Sequence, residues 1–548
     1  MEMVELAASG DPNRVVRAEL IRELLLGRRG DIDPRGVTLI GARVVGRFDL
    51  NMVSGVVGLQ FVRCVIDEPI RAINATLPFL TIARSTCTNI YAAGLRVGSC
   101  HLRGQVRLTG RGNEGVIHLG NAQIAGDFRL EDMELINNAG TAIIASGVRV
   151  GGSLHLKRVH VTGNGDDGAI NLINAHIAGA EFEDVEINNS KGPALNAPGV
   201  RVDRSLLLRG GIRITGCRER GAVNLIGAHI AGDIDWTDVE VTNTLGPALA
   251  ASRLRVSGSL FLRERIRLSG HDEDGVVILA GARVDGWMGC RGQVDIEVDA
   301  GGGLVLDLSE LVVGTTVSLP PGLVCPARGQ GTTCEHKRWV QLEEFSYASL
   351  GPRMDWRQWL HLIRCHTLTY HASAYQRLAA VERAAGHDGT VRRILIAQQH
   401  DLRRRNPDAL SGRLTRLFHW LWGVLAGYGY RSRRTAAALL LVLAVAGLLG
   451  WWAGQVPTRP GHHAAERVTA SGNPQEAAVS CSTVELIGLG LDRGLPLAMT
   501  GMRGRCDLDT ASRKGQAFTV AIWAVQLAVW GLATLALAGY SNLIRKPG

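Results

Sequence analysis

A group of residues in the middle of the chain consists of cysteine, histidine and glutamate, which are residue types that can bind zinc. Its members are Cys325, Cys334, Glu335, His336, His361, Cys365 and His366. Eight residues separate the first two cysteines, whereas about two to four residues separate paired cysteines in most zinc sites. We therefore predict a loop with reduced thiols and no metal ligands, and we keep a zinc site as the alternative.

Two glycine motifs, Gly110-RGNEG and Gly163-NGDDG, match the pattern of dinucleotide-binding loops. Such a loop must lead directly into a helix, because the pyrophosphate sits on the helix N-terminus. Here each motif leads into the short alternating pattern of a strand (VIHLG and AINLI). We interpret these glycines as corners of a repeat and predict no cofactor. The sequence has no G-x-S-x-G, H-E-x-x-H or Walker motif.

Basic side chains, with one glutamine among them, recur at intervals of 25 to 28 residues, each after an apolar residue, and we call this series the basic stripe. Its members are Arg96, Arg149, His176, Arg201, His229, Arg255 and Arg283, with Gln123 at the same position and Arg43 further upstream. Stacked on successive turns, they could bind an acidic or phosphate-rich partner. The alternative is a solvated face whose long side chains cover the sheet. His176 and His229, two turns apart, are poorly placed to share a metal.

These residues belong to a repeat of about 26 residues, two of which make a longer unit of about 53. Gly115-VIHLGNAQIAG returns as Gly168-AINLINAHIAG, Gly221-AVNLIGAHIAG and Gly275-VVILAGARVDG. Apolar residues alternate in runs of three to four, broken by Gly, Asn or Asp, which is typical of short strands and corners. A unit this small must stack on its neighbours. We predict a mainly β protein with a parallel β-helix of about ten turns over residues 31–322.

Helical segments are predicted on both sides of the β-helix. Residues 1–30 should form a capping helix over 11–27, with Asp11 as N-cap, Pro12 in the first turn and Gly27 after its end. Val16, Leu20, Ile21 and Leu24 would form its apolar face. We expect a linker or cap at 323–352 and a basic helical neck at 353–434, with a pair of antiparallel helices and a third, amphipathic helix at about 413–425.

Two long uncharged runs predict transmembrane helices at 435–455 and 515–544, because each can cross a hydrocarbon core about 30 Å thick. The neck contains fifteen arginines and five acidic residues. This positive charge precedes the first span and predicts that both termini and the β-helix lie in the cytoplasm. The N-terminus has no apolar signal region. We expect a multi-pass inner-membrane protein whose neck contacts the anionic inner leaflet, and we expect no binding of nucleic acid.

The loop at 456–514 should then face the outside, and it contains two of the ten cysteines, Cys481 and Cys506. A disulfide between them is one possibility and two free thiols are the other. The same loop contains Thr483-VELIGLGLD, which is distantly similar to a potassium-channel filter. A two-span channel with a β-helix sensor is therefore one functional alternative.

The repeats GARVVGRFDL, NAQIAGDFRL and GAHIAGDIDW resemble bacterial β-helix proteins related to pentapeptide-repeat and bactofilin-like chains. The neck YQRLAAVERAAGHDGTVRRILIAQQ, the GYGYRSRR segment and the two terminal spans resemble bacterial membrane proteins often labelled "membrane-associated oxidoreductase". This second resemblance covers nearly the whole chain and implies an oxidoreductase, although the sequence contains no redox motif.

These patterns favour a non-enzymatic, membrane-anchored scaffold that presents the β-helix to a protein partner or to further copies of itself. An enzyme is the alternative, either an oxidoreductase or an acid–base enzyme that uses charged corners. Those corners are Asp166, Asp167, Glu219, Asp272, Glu273 and Asp274.

Overall fold

The computed structural model describes residue 5 and residues 11–544, apart from 272, 299–301, 326–333, 335, 353, 411, 430–431, 469–478 and 496–500. The chain forms two compact units, Met1–Val391 and Arg392–Gly548. The first contains a parallel β-solenoid of about eleven turns, which confirms the predicted β-helix. The second contains long apolar helices.

One sheet of the solenoid is built from eleven short parallel strands, one from each turn. They are Ile70–Arg71, Ile90–Tyr91, Ile117–His118, Ile143–Ile144, Ile170–Asn171, Leu195–Asn196, Val223–Asn224, Leu249–Ala250, Val277–Ile278, Gly303–Asp307 and Arg338–Gln341. The inward position of this sheet stacks Ile117 on Ile143 and Ile143 on Ile170. Burial of branched apolar residues in such columns drives the stacking, because one turn cannot bury its own apolar face.

The remaining faces of the solenoid are continuous through long strands that bend around corners. Their strands are Val37–Ile40, Leu59–Val62, Thr76–Ala83, Arg96–Gly110, Gln123–Ile124, Phe128–Asn137, Arg149–Gly163, His176–Glu183, Glu186–Asn189, Arg201–Val202, Leu206–Arg209, Ile212–Gly216, His229–Ile230, Ile234–Asn243, Arg255–Val256, Leu260–Gly270, Arg283–Val284, Met288–Val298, Val312–Ser318 and Ser346–Leu350. A complete turn has four strand segments, for example 117–118, 123–124, 128–131 and 133–137.

Two bends in each turn use the left-handed backbone conformation. In the turn that begins at Ile117 these bends are at Asn121 (φ 56°) and Asp132 (φ 53°). Asn and Asp tolerate this conformation better than most residues, and glycine does so without steric penalty. The equivalent bends of the next turn are Gly147 (φ 66°) and Arg158 (φ 51°). These left-handed positions mark where each turn changes direction, and residues as different as Gly147 and Arg158 occupy them.

The N-terminal cap is shorter than predicted. Asp11 caps only a 3-10 turn, Pro12–Arg14, and the chain then forms the strand Val15–Arg17 before the helix α1, Ala18–Leu25. This strand pairs with Arg43–Val45, which in turn pairs with Val65–Ile66. The prediction of one helix from residue 11 was wrong because pairing with the solenoid edge extends the backbone there. The buried face of α1 is Ala18, Ile21 and Leu25, and Leu20 is exposed.

The solenoid also continues beyond the predicted boundary at residue 322. After the 3-10 turn Pro321–Leu323, the strand Arg338–Gln341 pairs with Gly303–Asp307, and Ser346–Leu350 pairs with Val312–Ser318. Part of the predicted linker is therefore the last turn. The helices α2 (Trp356–Cys365) and α3 (Ala372–Ala384) follow it. Trp359 donates a hydrogen bond through Nε1 to the Tyr347 hydroxyl at 2.9 Å, which attaches α2 to that turn.

The boundary between the two units, after Val391, lies within the helix α4, Asp388–Arg405. The helices that follow in the second unit are α5 (Arg413–Ala426), α6 (Ser432–Ala453), α7 (Thr483–Gly494) and α8 (Arg513–Ile544), with 3-10 turns at Pro407–Ala409, Gly427–Gly429 and Met502–Gly504. Two antiparallel strand pairs join Pro457–Arg459 to His462–His463 and Ala465–Arg467 to Cys506–Leu508. The helices α6 and α8 are long and apolar enough to cross a membrane, over 434–453 and 513–535.

Candidate functional site

The solenoid places the predicted basic stripe on one column of one face. Each member pairs in register with the member on the next turn, from Arg96 through Gln123 and Arg149 to Arg283. All eight positions are exposed. Adjacent turns of a parallel sheet lie about 4.8 Å apart, so the stripe is a nearly straight row about 34 Å long. Period-two alternation directs these side chains outward, because the next residue in each strand is a buried Val or Ile.

In the described part of the chain, most arginines of the stripe have no acidic partner. Among the described residues, no carboxylate lies within 4.0 Å of the side-chain nitrogens of Arg96, Arg149, Arg201 or Arg255. Two other members are paired, since His176 Nε2 lies 2.9 Å from Asp203 and Arg283 Nε lies 2.7 Å from Asp285. The predicted extension of the stripe to Arg43 was wrong, because Arg43 pairs in register with Val65, whereas the column of Arg96 continues upstream to Thr76. Arg43 lies 3.0 Å from Asp67. The positive charge of the stripe is therefore only partly neutralised.

Other outward columns of the solenoid are neutralised by ion pairs between successive turns. Lys157 lies 2.7 Å from Glu183, Arg158 lies 2.5 Å from Asp132, and Arg107 lies 3.0 Å from Glu134. Adjacent turns carry opposite charges in these columns. Alternating charges hold the rungs in register and cancel the net field. The stripe differs from these columns because it repeats one sign of charge.

A shallow groove runs beside the N-terminal part of the stripe. Its lining residues are Thr76, Leu77, Arg96, Val97, Gly98, Gln123, Ile124, Ala125, Arg149 and Gly151. Two residues along each strand from the stripe, the side chains are small, as at Gly98, Ala125 and Gly151. An extended polypeptide laid here would meet little steric obstruction and would lie next to the guanidinium groups of Arg96 and Arg149.

The sequence predicted a loop without metal ligands for the cysteine and histidine residues, but the structure brings four of their side chains close together. The structure brings together the donor atoms of Cys325, Cys334, His361 and His366, all within 4.8 Å of one another. His366 is fully buried and its Nδ1 lies 2.7 Å from the carbonyl oxygen of Arg338. Burial lowers the pKa of His366, which favours the neutral ring. Glu335 lies outside the described residues.

The other cysteines of the solenoid have a different environment. Cys87, Cys100 and Cys290 are buried in its interior, and burial raises the pKa of each thiol to about 12. A thiol with such a pKa is almost entirely protonated near neutral pH and reacts poorly as a nucleophile. These side chains act as small apolar residues of the core.

The first of the charged corners lies among basic side chains. Asp166 contacts Lys191 at 3.5 Å and Arg218 at 3.2 Å, so it takes part in ion pairs. Glu219 and Asp274 follow on later turns, and Asp272 lies outside the described residues.

The segment proposed as a channel filter is the helix α7, which Ser482 and Glu485 begin with a capping box. Helical carbonyls accept bonds within the helix, so they are not free to coordinate an ion.

The second unit has two features that bear on membrane attachment. Cys481 and Cys506 are joined by a disulfide with a Cα–Cα distance of 6.4 Å, as one of the two sequence alternatives proposed. The helix α5 leaves a row of apolar side chains exposed at helical spacing. These are Leu414, Leu417, Phe418, Leu421 and Val424. On its other side His419 is buried, and its Nε2 lies 3.1 Å from Gln399 Oε1.

Sequence reasoning identified the stripe and the two cysteines of the disulfide, but it gave too little weight to the donor set around His366. Only the H-x4-H spacing of His361 and His366 matched a usual zinc pattern. No family model, no curated protein and no solved structure matches this chain.

Proposed function

We propose that the protein is a non-enzymatic scaffold, anchored in the bacterial inner membrane, whose cytoplasmic solenoid binds an acidic polypeptide segment along the basic stripe. One observation carries this proposal: within the part of the chain that the structure describes, four exposed arginines of a single in-register column lack acidic partners, while neighbouring columns are neutralised. A repeated charge at a spacing of one turn favours an extended partner of opposite charge.

Membrane anchoring is supported by α6 and α8 and by the position of α5. The exposed apolar row of α5 ends shortly before α6 begins. Arg413 and Arg416 lie in the first turn of α5. An amphipathic helix with this composition can lie in the membrane interface with its apolar side toward the acyl chains. The fifteen arginines between residues 353 and 434 favour a cytoplasmic position for this region.

The stripe can be tested with a substitution that the repeat itself tolerates. Gln123 occupies a stripe position between Arg96 and Arg149, so glutamine fits this column. We therefore choose the triple variant Arg149→Gln, Arg201→Gln and Arg255→Gln. The matched control is Arg107→Gln, Arg158→Gln and Arg265→Gln, which removes the same charge from arginines that are ion-paired on the solenoid.

The probe is fluorescently labelled poly-L-glutamate, titrated into the full-length protein in detergent and followed by fluorescence anisotropy. We expect the stripe variant to lose about tenfold in affinity, or about 1.4 kcal/mol, and the control to lose much less. Binding should weaken as salt is added. Equal losses in the two variants would contradict the proposal. Tighter binding of duplex DNA or of anionic lipid vesicles than of polyglutamate would show that the partner class is wrong.

A further inference from the structure

Two separations between donor atoms of the cysteine and histidine cluster are close to those of a tetrahedral metal site, and all four donor atoms lie within 4.8 Å of one another. Cys325 Sγ lies 3.6 Å from Cys334 Sγ and 3.7 Å from His361 Nε2. With Zn–S bonds of about 2.3 Å and Zn–N bonds of about 2.0 Å, the edges of a tetrahedron are about 3.8 Å between sulfurs and about 3.5 Å between sulfur and nitrogen. The observed separations match both edges closely.

The orientation of His366 provides an independent observation. Its Nδ1 donates a hydrogen bond to the Arg338 carbonyl oxygen at 2.7 Å, so the neutral ring carries its lone pair on Nε2. That Nε2 atom is buried and has no hydrogen-bond partner among the described residues. Leaving a buried acceptor unsatisfied costs about 1–3 kcal/mol. Metal-binding histidines are typically held by this kind of bond from the other ring nitrogen to a backbone carbonyl.

The donor types and their burial select the metal and the kind of site. Two sulfurs and two imidazole nitrogens suit zinc, whereas calcium and magnesium require oxygen ligands. Cys325, His361 and His366 are each buried and Cys334 is half-buried, which leaves little access for a substrate. Two thiolates would neutralise the charge of Zn²⁺, which lowers the penalty for placing the ion in this interior.

We propose that Cys325, Cys334, His361 and His366 form a structural zinc site. Binding would release the thiol proton of each cysteine to solvent, and no bond other than the four metal–ligand bonds would form. The site involves no redox step. It is independent of the proposed scaffold function, because none of its ligands belongs to the basic stripe.

The position of the ligands indicates what the ion would stabilise. Cys325 follows the 3-10 turn Pro321–Leu323. His361 lies within α2, and His366 is the C-cap residue of α2. The backbone N–H of Val340, in the last strand of the eleven-stranded sheet, donates to the His366 carbonyl at 2.7 Å. Zinc would therefore fasten α2 to the last turn and help to cover the solenoid end, which would otherwise expose unpaired strands.

The first test measures zinc in the full-length protein, purified in detergent without a histidine tag, by inductively coupled plasma mass spectrometry. We expect about one zinc ion per chain, and a loss of most of it in Cys334→Ser. The matched control is Cys217→Ser, which changes a half-buried solenoid cysteine outside the cluster and should keep the metal. Removal of zinc with a strong chelator should lower the melting temperature of the wild type and leave that of Cys334→Ser unchanged.

A second measurement does not depend on the folding of any variant. Wild-type protein produced in cobalt-supplemented, zinc-depleted medium should show the absorption bands of tetrahedral Co²⁺ with thiolate ligands. Wild-type protein that contains neither zinc nor cobalt would overturn the proposal. A Cys325–Cys334 disulfide found by peptide mapping of freshly isolated, metal-free protein would also overturn it, because oxidised sulfurs cannot serve as the two thiolate ligands.

Discussion

Asn137 and Asn189 occupy the same corner of the solenoid two turns apart and make the same hydrogen bonds there. Each is almost fully buried and donates from its amide nitrogen to two backbone carbonyls. For Asn137 these are the carbonyls of Gly112 and Thr141, both at 2.8 Å. Asn189 bonds the carbonyls of Gly165 at 2.9 Å and Pro193 at 2.8 Å. Each asparagine therefore joins its own turn to the preceding one.

Replacing Asn137 by alanine should destabilise the solenoid, because the carbonyls of Gly112 and Thr141 would lose their donor and that of Thr141 is buried. We expect a loss of about 2–4 kcal/mol, seen as a melting temperature several degrees lower in circular dichroism of the full-length protein in detergent. The control is Asn138→Ala, which removes the same side chain from an exposed neighbouring position. Equal melting temperatures for the two variants would contradict the structural role of the Asn137 amide.

Glycine occupies the same column on the intervening turns. Asn137 pairs with Gly110, Gly163 pairs with Asn189, and Gly216 pairs with Asn243. A Cβ added to Gly216 would lie 2.7 Å from the Ala222 Cα. We expect Gly216→Ala to lower the melting temperature by an amount that corresponds to about 1–3 kcal/mol of overpacking. Gly112→Ala is the control, since a Cβ there meets no atom within 4 Å.

The stability of the ladder should also depend on pH through Asp127. The backbone N–H of Ser153, on the next turn, donates to Asp127 at 2.9 Å, and this bond, followed by that from Arg129, lowers the pKa of the carboxyl group. A group whose pKa is lower in the folded state adds stability above its ordinary pKa and loses it as the pH falls through the folded pKa. The contribution of Asp127 is therefore present at neutral pH and disappears under acidic conditions.

Asp127→Asn provides the measurement, because the amide keeps an oxygen acceptor for Ser153 but cannot titrate in this range. The wild type should melt at a higher temperature than the variant at about pH 6, and the difference should shrink toward about pH 3. A difference that stays constant over this range would show that the charge of Asp127 contributes nothing.

Membrane topology can be tested with the cysteines that the chain already contains. We expect a membrane-impermeant maleimide to label Cys481 and Cys506 in intact cells only after an impermeant reductant has opened their disulfide. Cys217, half-buried in the solenoid, should be labelled only after the membrane has been permeabilised. Labelling of Cys217 in intact cells would place the solenoid outside and would exclude the proposed orientation.

The repeat and the two apolar spans could be predicted from sequence because each depends on local periodicity. Alternating apolar pairs at a spacing of about 26 residues are sufficient to predict stacked turns, and the spacing alone places the basic stripe in one column. The extended pairing of Val15–Arg17 could not be predicted, because a capping pattern at Asp11 and Pro12 is also compatible with a helix. There, contact with the solenoid edge overrides the local signal.

The residues of the cysteine and histidine cluster could be named from the sequence, but their close approach could not be predicted, for a different reason. Its ligands are separated by as many as 41 residues, and they come together only because the last solenoid turn and α2 pack against each other. The last turn was itself missed, since Pro320-Pro321 interrupts the repeat before the strand at Arg338. Long-range contacts of this kind leave no regular spacing in the sequence.

The alternation of asparagine and glycine along one corner limits how the length of this protein can change. Insertion or loss of a single turn would bring two asparagines, or two glycines, into contact. Gain or loss of a pair of turns preserves the alternation, so tandem duplication of a 53-residue block would be structurally neutral. The rod can therefore grow or shrink in steps of about 10 Å without redesign of its interior.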